Sequence, residues 1–334
     1  MEASTSHGSK PLGFFLTIAG GLLWALGGSC GQQIFQNHHL TSNWLVPYRI
    51  LIAGTILLIL SCLRYPPRQV FSIWRNRKDT KDLLLFSVLG AGASQYTYYT
   101  CIQYSNAAFA TVISYMFPVV ILLYGMFRSR RAPKRYELVS VLLVTAGAFT
   151  CTTHWNLESL SVSPIALVVG ILCAVASAYN TVKPQRLLRT YALISIMGWS
   201  MVVGGVILCI LCRPWTIPFV LNGELILLMA VVIGGGTILA FCCFQAGVRI
   251  VGSLSGSVLA SVEPIGAIVI AVLFLNIPFT LEDFVGFVLI LATIPIIAMG
   301  QNRETLATRA MAEDLAAAQP SSSPVATSSE LSSE

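Results

Sequence analysis

Residues 251–275 read VGSLSGSVLASVEPIGAIVIAVLFL. This apolar run is long enough for a helix to cross about 30 Å of hydrocarbon, which takes roughly 20 residues. It carries one carboxylate, Glu263, followed by one proline, Pro264. Apolar blocks of similar length recur along the whole chain of 334 residues, which is 55% hydrophobic and only 10% charged, with mean hydropathy +0.76. A soluble domain carries about 25% charged residues. A β-barrel would show segments of about ten residues with alternating polarity. The pattern is that of an all-α integral membrane protein.

The blocks place ten spans near 12–34, 44–63, 83–103, 107–127, 136–153, 163–182, 191–212, 224–244, 252–275 and 281–299. The first has no small-residue cleavage site after it and reads as a retained span. Residues 1–11 form a short N-terminus, and 300–334, ending in PSSSPVATSSELSSE, reads as a disordered tail. Alternate connections differ in charge. One set holds Lys10, the basic residues of 64–81, 128–135 and 183–189, Arg249, Arg303 and Arg309; the other holds Arg213 alone. Positive charge collects on the cytoplasmic side, so both termini are expected there.

Residues 99–118, YTCIQYSNAAFATVISYMFP, align without a gap on 245–264, QAGVRIVGSLSGSVLASVEP. At this offset of 146, Pro118 falls on Pro264, Ala110 on Gly256 and Val112 on Val258. The connection RSRRAPKR at 128–135 is strongly basic, whereas its counterpart LFLNIPFT at 273–280 is uncharged. Five spans per unit is an odd number, so the second unit, 163–299, lies upside down relative to the first, 12–153. Inverted repeats of this kind rock about a site near the midplane in secondary transporters. The expected fold is ten transmembrane helices as two inverted five-helix repeats around a central cavity.

Several motifs, in this order and spacing, carry a family resemblance: LLWALGGSCGQQ (22–33), VPYRILIAG (46–54), AAFATVISYMFPVV (107–120), AVASAYNTVKPQRLL (174–188) and GSVLASVEPIGAIVIAVLFL (256–275). Together they resemble the EamA-like members of the drug/metabolite transporter superfamily over about residues 12–299. The family often ends its fourth and ninth helices with Gly-Glu; here those places read Tyr124-Gly125-Met126 and Leu275-Asn276-Ile277. The resemblance implies a ten-helix carrier that exports small metabolites or drug-like compounds.

A charge at mid-bilayer costs at least ~2.5–3.5 kcal/mol. Glu263, twelve residues into its span, is therefore a candidate proton carrier, cation partner or substrate contact; the plain alternative is a hydrogen-bonded carboxyl that ties helices together. Pro118 and Pro264 each remove a backbone donor and kink their spans. Arg49 near the outer end of the second span has three readings: snorkelling outward, attracting an anionic group, or pairing with Glu263. Gln95, Tyr99 and Gln103 recur at four-residue spacing along one side of the third span, with Tyr96 and Tyr98 beside them; such a stripe lines a cavity or joins helices. Trp24 in the first span matches Tyr179 and Asn180 in the sixth, and Ser114 and Tyr115 lie in the fourth. The clustered glycines read as close helix packing. The nine cysteines, Cys209 and Cys212 included, read as small packing residues.

No histidine or cysteine spacing fits a metal. The Gly234–Gly236 triplet lacks the Lys-Ser/Thr of a phosphate-binding loop, so no cofactor is expected. The leading reading is a secondary exporter of small organic solutes in the plasma membrane, the cytoplasmic membrane of a bacterium. Its partners are a small-molecule substrate and membrane lipids, whose anionic headgroups suit the basic connection 64–82. The basic loops do not call for nucleic acid. A receptor or scaffold would need larger loops. An intramembrane enzyme would need a catalytic constellation, and the spans hold one acid and no histidine well inside.

Overall fold

The computed structural model describes residues 10–104, 110, 113–130, 132–156, 164–266, 269–270 and 280–318. Every regular element among them is helical. Helix α1 spans Lys10–His38 and α2 Ser42–Arg64. A short α3 (Pro67–Val70) and a 3-10 turn (Ser72–Arg75) lead to α4 (Arg77–Leu85). It continues through a π-helical segment, Phe86–Gly92, into α5 (Ala93–Tyr104). Then come α6 (Phe117–Ser129), α7 (Arg135–Thr153), α8 (Pro164–Val182), α9 (Gln185–Leu188) and α10 (Leu193–Cys212). Helix α11 (Gly223–Ile233) runs through a second π-helical segment, Gly234–Leu239, into α12 (Ala240–Val251). Helices α13 (Ser253–Ala260) and α14 (Leu281–Ala318) complete the set.

Among the described residues six stretches are long and apolar enough to cross a bilayer: Lys10–His38, Ser42–Arg64, Pro164–Leu188, Leu193–Cys212, Gly223–Val251 and Leu281–Arg303. Phe127, Leu63, Ile210 and Phe284 are exposed, as apolar side chains facing lipid are. The protein is a multi-pass helical membrane protein.

Local chemistry sets the helix ends. The Asn76 side chain accepts from the amides of Lys78 (3.0 Å) and Asp79 (3.4 Å) to open α4, and Asn222 accepts from Leu225 (2.8 Å) to open α11. These asparagines are 146 residues apart. Gly252, at φ +89°, takes a turn open to few other residues and separates α12 from α13.

The expected ninth span is not one continuous helix. Helix α13 stops at Ala260, residues 261–262 form a turn, and the helix resumes at 263–266. Pro264 has no N–H for the Ala260 carbonyl, and that carbonyl lies against Gly21 of α1. The expected fourth span breaks likewise at 115–116, just before α6 and its Pro118. The two turns lie 146 residues apart. Residues 107–109, 111–112, 267–268 and 271–275 of these spans, with Asn276-Ile277 after them, lie outside the described residues. The last helix does not stop at 299, where the expected tail begins. It continues through Ala318, because ETLATRAMAEDLAAA is rich in strong helix formers. Residues 1–9 and 319–334 lie outside the described set.

Four helix pairs pack most extensively: α2 with α10, α1 with α12, α7 with α14, and α5 with α8. Between α2 and α10 the Ser61 and Ser195 hydroxyls meet at 2.5 Å. Gly54 admits the backbone of Met201 and Val202 there, and Gly205 admits Leu51. Members of the glycine clusters such as Gly21, Gly27 and Gly205 thus sit at helix crossings, as small residues do in membranes.

Candidate functional site

A cavity with about 700 Å³ of empty space, its open mouth included, lies among α1, α2, α5, α6, α8, α12 and the helix resumed at 263. The two helix breaks and both π-helical segments border it: Tyr115, Phe117, Glu263 and Gly236 line it directly. Gly90 of the first π segment packs on the Asn180 backbone. A π turn widens the helix by one residue and recurs at functional sites. Gly90 and Gly236 are again 146 residues apart.

Arg49 enters from α2 and is 2% exposed. Its guanidinium donates to the Tyr99 hydroxyl (2.6 Å) and to the Gln95 carbonyl oxygen, and lies 4.5 Å from the centre of the Tyr99 ring. These neutral partners hold the cation inside instead of letting it snorkel. Among the described residues no ion pair joins it to Glu263. Glu263 is instead within reach of the Tyr115 side chain. The Arg49 Nε, the Trp24 Nε1 and the Asn180 Oδ1 are buried without a hydrogen-bond partner. All three residues line the cavity. An unmet buried polar group costs about 1–3 kcal/mol, so a bound solute or water that pairs with these atoms recovers that cost. The Trp24 ring packs against Phe241 at 5.1 Å and Phe244 at 4.8 Å, giving the cavity an aromatic wall.

Of the residues singled out from sequence, Trp24, Arg49, Gln95, Tyr99, Ser114, Tyr115, Asn180 and Glu263 line this one cavity. Gln103 and Tyr96 do not: Gln103 accepts from the Ser42 hydroxyl at 2.8 Å and Tyr96 donates to Asn43 at 2.8 Å, both joining α5 to the start of α2. Tyr179 lies next to the lining and not in it, while Pro118 and Pro264 sit at the helix breaks. Sequence reasoning missed Ser94, Phe117, Cys173, Ser177, Thr181, Phe241 and Phe244. Two signals could have found some of them. Ser177, Asn180 and Thr181 share one helix face at three- and four-residue spacing, and Phe117 falls on Glu263 at the offset of 146.

Polar links close the ends of the cavity helices. Lys183 meets Asp82 at 2.9 Å, and Arg186 bridges Asp79 (2.5 Å) and Asp82 (2.7 Å). The Tyr191 hydroxyl donates to Asp79 at 2.8 Å. The hydrogen bond from Lys183 holds the Asp82 carboxyl below the usual carboxylate range. Burial, and then the Asp79 carboxylate, push the Tyr191 phenol up to about 12. This network ties the end of α8 to the start of α4. Buried Gln245 extends it, accepting from Gln185 (2.9 Å) and donating to the Asn180 carbonyl (2.9 Å). At the end of α1, Asn37 donates to Glu224 at the start of α11 (2.8 Å), with His38 3.8 Å from the same carboxylate.

The profile of the EamA-like transporter family matches residues 11–153 and again 164–299. A Salmonella typhimurium protein described as an uncharacterized inner membrane transporter, YicL, is 35% identical over 300 residues, 90% of this chain and 99% of the relative. YetK of Bacillus subtilis, described as an uncharacterized transporter, is 22% identical over 258 residues, 74% of this chain and 75% of its own length. A chain of known crystal structure superposes with a TM-score of 0.72 over 88% of this chain and 99% of that one, at 16% identity, which speaks to the fold alone.

Proposed function

This chain belongs to the EamA-like transporter family, and from that premise we propose a ten-helix exporter of small organic solutes working by alternating access of two inverted five-helix units. The observation that carries the reading is the duplicated break. Turns at 115–116 and 261–262, each ahead of a proline, meet at one polar cavity. Discontinuous helices around a midplane site are how secondary transporters build substrate sites.

The duplication into two matching units has further support. The capping pair Asn76 and Asn222 and the π-segment pair Gly90 and Gly236 keep the 146-residue offset, and so do the two breaks. The packing pairs are also self-consistent: exchanging each helix for its repeat mate turns α1 with α12 into α8 with α5, and leaves α2 with α10 and α7 with α14 unchanged. The link of α8 to α4 and that of α1 to α11 are mates in the same sense.

In the mechanism, the solute fits between the aromatic wall and the polar groups of Arg49, Asn180 and Glu263. Glu263 is the coupling residue, because its carboxyl can take up a proton on one side and release it on the other. The end links at α4–α8 and α1–α11 open alternately as the two units rock.

The test is transport by purified protein in liposomes of solutes whose release changes in expressing cells. Uptake that rises with an imposed pH gradient in the wild type and loses that dependence in Glu263→Gln supports the coupling. A Glu263→Gln protein with full gradient dependence excludes it. Absence of transport for every solute whose cellular release depends on the protein excludes the carrier reading.

A further inference from the structure

Residues 64–82 segregate their charge. The two acids, Asp79 and Asp82, turn inward to Arg186, Lys183 and Tyr191. The six bases, Arg64, Arg68, Arg75, Arg77, Lys78 and Lys81, are all exposed and have no carboxylate partner among the described residues. The segment does not hang free. It folds back on α10, where the Trp199 indole donates to the Val70 carbonyl at 3.0 Å. Phe71 and Trp74 pack edge-on against Trp199 at 5.0 and 5.1 Å. Both keep an exposed side, 49% for Phe71 and 36% for Trp74. Trp199 lies about 9 Å along α10 from its start at Leu193, so this aromatic shelf sits at the depth of headgroups and upper acyl chains. Tryptophan favours that boundary.

We propose that the shelf and the bases beside it form a binding site for one anionic phospholipid, its phosphate between Arg68 and Arg75 and its chains along Phe71 and Trp74. Cation and apolar surface are both unmet there, and a negatively charged diacyl lipid satisfies both. A zwitterionic lipid supplies the chains without the net charge, and a free phosphate the charge without the chains. The site rests on the proposed orientation only in placing it at the cytoplasmic leaflet. Because Arg75 ends the turn that leads through Asn76 into α4, a lipid here braces the helix that holds the α4–α8 link.

Full-length protein in detergent is titrated with phosphatidylglycerol or phosphatidylcholine, and retained lipid is counted by native mass spectrometry. Neither orientation nor transport enters this readout, so its failure and failure of the carrier reading are separable. One phosphatidylglycerol per chain is expected to be retained in preference to phosphatidylcholine. Arg68→Gln with Arg75→Gln weakens it about 30-fold, from about fivefold per surface charge. Arg128→Gln with Arg135→Gln changes it less than threefold. Glycerol phosphate at millimolar concentration leaves the lipid in place. If the double variant loses its fold on heating, the single variants, each about fivefold weaker, are read instead. Equal retention of the two lipids, no loss in the Arg68 and Arg75 variants, an equal loss in the control pair, or displacement by glycerol phosphate each overturns the site.

Discussion

Gly236→Ala probes the closest approach at the cavity wall. A Cβ built on Gly236 would lie 2.5 Å from the Gly27 Cα, and one on Gly27 would lie 2.7 Å from the Gly236 Cα. Carbon atoms rest at about 3.5–4.0 Å, so α1 and the second π segment must part locally by roughly 1 Å. The listener to this strain is backbone, which cannot swing aside as a side chain can. Overpacking of this kind costs about 1–3 kcal/mol, a shift of about 5- to 150-fold in the folded ratio. Gly234 in the same triplet is the control, because a Cβ there meets nothing within 4 Å. Helix propensity alone favours alanine at both positions by up to about 1 kcal/mol. The fraction of monodisperse protein left after heating in detergent, followed by size-exclusion chromatography, separates the two. Gly236→Ala is expected to be lost at lower temperature than wild type, and Gly234→Ala to match or exceed it. Equal behaviour of the two variants would refute the close crossing of α1 and the second π-helical segment at the cavity wall.

Other consequences are as direct. Tyr99→Phe removes one of the neutral partners of buried Arg49, a hydrogen bond to a charge worth about 1.5–3 kcal/mol, and is expected to lower thermal stability and solute affinity together, read by melting with and without solute. Pro264→Ala restores a donor for the Ala260 carbonyl and is expected to straighten the helix through 261–262, slowing transport while leaving stability equal or higher. The folded carboxyl of Asp82 titrates below its ordinary value because Lys183 hydrogen-bonds its charged form. Its contribution is therefore full above the unfolded carboxylate value near about 4 and is lost as pH falls through the lower folded value. Asp82→Asn is expected to melt below wild type at pH 7, with the gap closing as pH drops below about 4; a gap independent of pH contradicts the ion-pair origin.

Much of this was legible because lipid imposes simple rules. Block length marked the six long apolar stretches, and the offset of 146 anchored on Pro118 and Pro264 marked both breaks, though as kinks and not as interruptions. Applying the same offset one residue before Pro118 would have paired Phe117 with Glu263 in the cavity. The π-helical segments left no trace, because FSVLGAG and GGGTIL are apolar or small throughout and hydropathy does not encode a widened turn. Depth alone left three readings open for Arg49, because its burial depends on the Tyr99 ring from another helix. The stripe of Gln95, Tyr99 and Gln103 does share one side of α5, yet its last member meets Ser42 where α2 begins. Which end of a stripe reaches a cavity is set by helix crossing, which spacing does not contain.

The central claim is that the two units run oppositely through the membrane. The mates Arg77 and Gly223, each the first residue after its capping asparagine, test it directly. Each is replaced by cysteine in a protein freed of its nine native cysteines and labelled in intact cells with a membrane-impermeant thiol reagent. Gly223→Cys is expected to label from outside, and Arg77→Cys only after the membrane is opened. Labelling of both from the same side would contradict the inverted architecture and the carrier mechanism with it.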